Sequence, residues 1–255
     1  MPSKPAFSLP VPKAAVGFKP EYLDFRRGIR VGNLADNERI TRILKLELEH
    51  RYQESFVTER YGRGVYWQWI GYLPRSNREA KPVSSHFSFG CSKLFLMVDT
   101  EEKLFKCGLQ VERGRVAASQ NTNDFTLRPD WDWHRLTKSL KPDGPMEREF
   151  KRLIRREGFC LRAGTWSNPM TLSASGWPGA SRLKKSLLKI DPMEWGFFQL
   201  FYPMQEEEVR AATGLDLVEA MLAVFHEVTP AMNLCMQTRL KELERTYAPL
   251  PSRHS

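Results

Sequence analysis

Hydrophobic positions recur with two periods along the chain, and the change from one to the other predicts its layout. Ile40, Ile43, Leu44 and Leu48 form one stripe at helical spacing, preceded by Asp36 and Asn37 as caps. They predict a first helix running to about Phe56. A β-prone stretch follows. Val65 to Leu73 is aromatic and stops at Pro74, and Pro74–Pro82 reads as a polar loop. Ser85 to Gly90 alternates, and Lys93–Val98 and Leu104–Val111 flank Asp99-Thr-Glu-Glu-Lys103 as a hairpin. Together these predict an antiparallel meander.

Residues 118–129 read as a polar loop, and a helix from Asp130 or Asp132 stops before Lys141-Pro-Asp-Gly-Pro145. Met146 to Glu157 is the clearest helix. Pro145 suits its first turn, and Met146, Phe150, Leu153 and Ile154 share an arc of roughly 100°. Gly158 ends it. Residues 159–175 predict two short strands broken at Ser167-Asn-Pro169. After the Ser175–Ser181 loop comes a short basic helix, Ser181 to Lys189, and then a buried strand, Trp195 to Tyr202. The remainder is helical. Met204–Ala212 is short, and a helix capped by Asp216 is restarted by Thr229-Pro230 and runs to about Arg245. Strands in the middle with helices at both ends give an α+β fold, an antiparallel sheet with helices on one face and a helical C-terminal segment. The organisation is a flexible lead over 1–20, one domain over 21–247 and a disordered tail over 248–255.

Composition agrees with a globular chain: 255 residues, 41% hydrophobic and 27% charged. Cys91, Cys107, Cys160 and Cys235 make no C-x-x-C pair, which points to buried thiols in a reducing compartment; a Cys91–Cys107 cross-strand disulfide is the one alternative. No secretory h-region and no apolar run of membrane-spanning length is present, so a cytoplasmic location is expected, without a membrane partner.

Charge adds the functional lead. The formal net charge is +9, and residues 128–190, with 14 basic and 6 acidic side chains, carry +8 of it. Such a concentration attracts polyanions, of which nucleic acid is the commonest. Arg148, Lys151, Arg152, Arg155 and Arg156 fall opposite the apolar arc of helix 146–157, with Lys184, Lys185 and Lys189 beyond it. Trp166 and Trp177 are interleaved as stacking platforms. Five phosphate contacts by the helix would give a log–log salt slope of about −4 to −5. A solvated outer helix face explains the same residues.

A second reading rests on Gly90-Cys-Ser92, Asp99-x-Glu101 and Glu112. Carboxylates spaced by two on a strand, with a third nearby, can hold two Mg²⁺ ions for phosphoryl transfer. The pattern is loosely similar to that of nucleotidyltransferases, but its Gly and Ser are not adjacent and no helix fits before Asp99. Glu101 and Lys103 also echo a nuclease Asp…Glu-x-Lys set. A polar hairpin turn accounts for them equally. His50, His86, His134, His226 and His254 lack metal spacing, and His134 near Asp130 is a base candidate. The Gly176–Ser181 loop before Arg182, Lys184 and Lys185 is an auxiliary phosphate contact at most, since no Walker pattern is present. Tyr66-Trp-Gln-Trp69, Trp131 and Trp133 are core anchors or a pocket wall. The expected function is therefore a nucleic-acid-binding accessory protein, acting on nucleic acid or an assembly containing it. A Mg²⁺-dependent phosphoryl-transfer enzyme and a protein-interaction scaffold are the alternatives. No cofactor is implied except Mg²⁺ under the enzyme reading.

Overall fold

In the computed structural model, residues 17–80, 90–113, 131–173 and 176–241 are described. A 3-10 turn (Pro20–Tyr22) leads into a small hairpin of β1 (Leu23–Asp24) and β2 (Gly28–Arg30). Then come α1 (Ile40–Tyr52), β3 (Phe56–Arg63), β4 (Tyr66–Pro74), α2 (Arg75–Glu79), β5 (Lys93–Asp99) and β6 (Leu104–Arg113). The second half holds α3 (Asp132–Ser139), α4 (Pro145–Arg156), β7 (Cys160–Thr165), β8 (Pro169–Leu172), α5 (Ala180–Leu188), β9 (Gly196–Gln205), α6 (Glu206–Ala211) and α7 (Gly214–Cys235).

All strand pairs are antiparallel, in the order β1-β2-β4-β5-β6-β9-β7-β8, with β3 paired to β4. The predicted meander is present as β3-β4-β5-β6. The last strand, β9, then enters between β6 and β7, pairing Leu104↔Gln205 through Arg113↔Gly196 on one side and Cys160↔Phe201 on the other. Gly108 permits this insertion, because a Cβ there would lie 2.1 Å from the Leu200 carbonyl oxygen.

Period-two alternation sorts the sheet into two faces. Leu94, Leu96 and Val98 of β5, Phe105, Cys107, Leu109 and Val111 of β6, and Phe198 and Leu200 of β9 share one core with α1, α3, α4, α5 and α7. The helices therefore cover one face, and α7 crosses it with Leu217, Met221, Val224, Phe225 and Val228 buried. On the opposite face Leu73, Phe95, Phe197 and Phe201 are also buried, outside that cluster. Phe18 is buried too. Its carbonyl lies 1.7 Å from where a Cβ of Gly214 would be, so a glycine is required where the N-terminal segment crosses the start of α7.

Several expectations need correction. The first helix stops at Tyr52 rather than Phe56, because Gln53 adopts a left-handed conformation (φ 48°) and Phe56 opens β3. Strand β3 lacked a readable alternation. It has one fully buried position, as befits an edge with a bulge between Tyr61 and Gly62. The Pro74–Pro82 loop contains the short α2. Thr229-Pro230 does not restart a helix. α7 runs through it, with Thr229 Oγ1 donating to the Phe225 carbonyl at 2.7 Å, and ends at Cys235. Cys91 and Cys107 form no disulfide; Cys107 lies opposite Leu96, about 16 Å along the strand from Cys91. The alternation at 85–89 and the loop at 118–129 lie outside the described residues. No helix among the described residues is long and apolar enough to cross a membrane.

Candidate cationic interface

The three carboxylates flagged on the β5–β6 hairpin do not meet. Asp99, at the end of β5 opposite Leu104, and Glu112, near the end of β6, lie on the same sheet face but at opposite ends of the β5–β6 hairpin. Asp99 pairs with Lys106 Nζ at 2.8 Å, and Glu112 pairs with Lys93 Nζ at 2.7 Å. Lys106 and Glu112 are six residues apart on β6, so the two ion pairs stand about 20 Å apart. Glu101 is exposed in the turn, where its N–H and that of Glu102 donate to Asp99 Oδ1 at 3.1 and 3.0 Å. Each of the two face carboxylates already holds an ammonium where a metal ion would sit. The set does not fit a two-metal centre, which needs its carboxylates around one ~4 Å metal pair. Among the described residues no cluster of three His, Cys, Asp or Glu side chains could hold a metal.

These groups instead form a buried polar row. Lys93 and Lys106 are 1% exposed. Glu59 joins Lys93 at 3.1 Å, while Glu102 and Arg162 join the Lys106–Asp99 pair. Between the two pairs Gln110 Oε1 accepts from Trp69 Nε1 at 3.0 Å and from Gln199 Nε2 at 2.7 Å. Burial lowers the Lys93 pKa, but Glu112 and Glu59 outweigh it and hold the ammonium above its usual range. Burial raises Asp99, yet the Glu102 N–H and the Lys106 ammonium keep it below the ordinary carboxylate range. Both charges are thereby fixed, as befits structural ion pairs.

The Gly90-Cys-Ser92 segment is also structural. Asp132, fully buried at the start of α3, accepts from Ser92 N at 2.5 Å and Asn77 Nδ2 at 2.8 Å, and donates its own N–H to the Gly90 carbonyl. Trp131 and Trp133 are buried, resolving them as core anchors, and Trp69 belongs to the polar row. Trp177 meets Phe150 edge-on, while Trp166 is 48% exposed and stacks on Phe197 at 4.2 Å. His50 and His226 are exposed on α1 and α7, and His134 is partly buried on α3. Asp130, His86 and His254 lie outside the described residues.

The basic face of α4 is divided by its partners. Arg152 bonds Glu149 at 3.0 Å and Glu227 of α7 at 2.5 Å. Lys151 lies 3.6 Å from Asp143 and 3.5 Å from Glu147. Arg148 donates to the Asp143 carbonyl and stays exposed. Arg155 and Arg156 are exposed in the last turn, and neither has an ion pair among the described residues. Beyond α4, Lys184 is partly buried and Lys185 exposed on α5. The first N–H of α5, Ala180, is taken by Glu147 Oε1 at 2.9 Å, so the glycine loop before it has lost one anion donor.

A further group of cations within the basic window lies on α3 rather than α4. Arg135, Lys138 and Lys141 follow one another at intervals of three along α3 and its exit. With Ser139, Pro145, Met146 and Leu234 they line a groove of about 600 Å³. None of these lining residues is acidic, and none of the three cations has an ion pair among the described residues. Arg135 Nε is buried without a hydrogen-bond partner among them. Pro145 and Met146 bring the N-terminus of α4 to the same groove. Its N-cap Gly144 offers no capping side chain, but Glu147 in its first turn offsets the positive end of the helix dipole, so the field of the groove comes from its three cations. The readable signal was the i, i+3, i+6 spacing of cations with no intervening acid. Such a groove can hold phosphate oxygens by charge and hydrogen bonding.

No protein-family model matches the chain, and no curated protein matches it.

Proposed function

We propose that this chain binds nucleic acid, or an assembly that contains it, through the α3–α4 groove, with the exposed Arg148 of α4 as a fourth contact. The observation that carries this reading is the lining of the groove, which holds no acid among the described residues and where Arg135, Lys138 and Lys141 have no ion pair among them. Each phosphate neutralised there releases condensed counterions, which is the main source of sequence-independent affinity. Arg155, Arg156 and Lys185 are exposed but do not line the groove, and Lys151 and Arg152 are already held by carboxylates, so none of the five counts among the phosphate contacts. The test is fluorescence polarisation with labelled single-stranded DNA, duplex DNA and RNA at low salt. The native chain binds at least one of them, and Arg135→Gln/Lys138→Gln/Lys141→Gln weakens binding about tenfold or more. No binding at low salt, or equal affinity in the triple variant, overturns the reading.

A further inference from the structure

A second cationic depression lies on other elements. Arg39, Thr41, Arg42 and Lys45 from the start of α1 converge with Thr58 and Arg60 of β3 and Trp67 of β4 around a space of about 250 Å³. We propose that this depression is a separate anion site, taking a compact phosphate group such as that of a phosphomonoester or a diphosphate.

Four cations share the lining with two hydroxyls, and none of the described lining residues is acidic. Gathering like charges in a recess is unfavourable unless an anion offsets them. The nearby carboxylates do so only in part. Asp36 lies 3.6 Å from Arg39 and Glu49 lies 3.7 Å from Lys45, both as loose surface pairs, while Arg42 and Arg60 have no ion pair among the described residues. The start of α1 sharpens the imbalance. Helix N-termini favour acids in the first turn, yet this one has none, lacks a capping side chain, and places Arg39 at the N-cap with Arg42 in the first turn. Two guanidiniums are also held in place. Arg39 Nη2 donates to the Leu34 carbonyl at 2.7 Å while its Nε is buried with no partner among the described residues, and Arg60 stacks over Trp67 at 4.2 Å. Thr41 and Thr58 add hydroxyl donors. With Arg60 lying over the indole, and with so small a volume, the depression fits a phosphate or diphosphate rather than a stacked base.

Calorimetry with inorganic pyrophosphate and the full chain at low ionic strength tests this. Saturable one-to-one binding is expected. It should persist in Arg135→Gln/Lys138→Gln/Lys141→Gln and weaken about tenfold in Arg42→Gln/Arg60→Gln with an unchanged melting temperature. If that double variant melts early, Lys45→Gln decides, with a clear loss of affinity expected. Absence of saturable binding in the native chain, retention of full affinity in the depression variants, or loss in the groove variant instead overturns the proposal. The last result would leave the nucleic-acid reading intact.

Discussion

Glu147 shows how one carboxylate can organise two helices. It is 5% exposed, accepts the Ala180 N–H at 2.9 Å and the Asp143 N–H at 2.7 Å, and lies 3.5 Å from Lys151. Burial pushes its pKa up, but the Ala180 and Asp143 N–H donors and Lys151 outweigh this and hold it below the ordinary carboxylate range. A depressed folded-state pKa stabilises above the unfolded value of about 4.3 and is lost as pH falls through the folded value. Glu147→Ala should therefore cost about 2 kcal/mol at neutral pH, by leaving the buried Ala180 N–H and the partly buried Asp143 N–H without this acceptor. Denaturant titrations from pH 7 down to pH 3 should show the deficit shrinking as the acid limit is approached. Glu112→Ala is a second case. It removes one of the two carboxylates that flank the buried Lys93 ammonium and should lower stability by about 2–3 kcal/mol, read by chemical denaturation. A metal-site role would instead leave stability nearly unchanged. Spacing alone could not separate these roles, because Asp99, Glu101 and Glu112 read identically as strand-end acids until the register set Lys106 and Lys93 beside two of them.

Elements whose own sequence satisfies their ends were legible, and those shaped by distant partners were not. Helix α4 carries Pro145, a complete apolar arc and Gly158 with φ 76°, so its limits agree with the reading. The β5–β6 hairpin is set by Asp99, which closes the turn, and by Lys103 in a left-handed conformation. Edge strand β3 has little apolar signal because β4 alone pairs with it. Pro230 misled for a related reason. Thr-Pro is a helix-start signal, yet Thr229 is buried and bonded to Tyr52 and Phe225, and the stripe from Val224 through Cys235 packs continuously. Tertiary packing thus carries the helix across a residue that removes one of its hydrogen bonds. Pro230 itself is exposed. Pro230→Ala restores the bond to His226 and should raise the melting temperature by a few degrees, about 1 kcal/mol, in a thermal scan. A fall would show that the proline relieves strain in the α7 packing.

Across the protein as a unit, the charge asymmetry of residues 128–190 was legible, but its exposed portion was not. Helical periodicity placed Arg152 on the outer arc of α4 without revealing that Glu227, seventy-five residues away, reaches it from α7. Conversely, Arg135, Lys138 and Lys141 gain meaning only when α3, α4 and Leu234 of α7 enclose a groove. Four cations, the three of the groove with Arg148, then define the expected phosphate contacts in place of the five on α4. The salt dependence of nucleic-acid affinity reads that number directly. With duplex DNA the native chain should give a log–log slope of about −3.6, and Arg135→Gln/Lys138→Gln/Lys141→Gln a slope of about −0.9. Parallel slopes for the two proteins would contradict the groove as the binding surface.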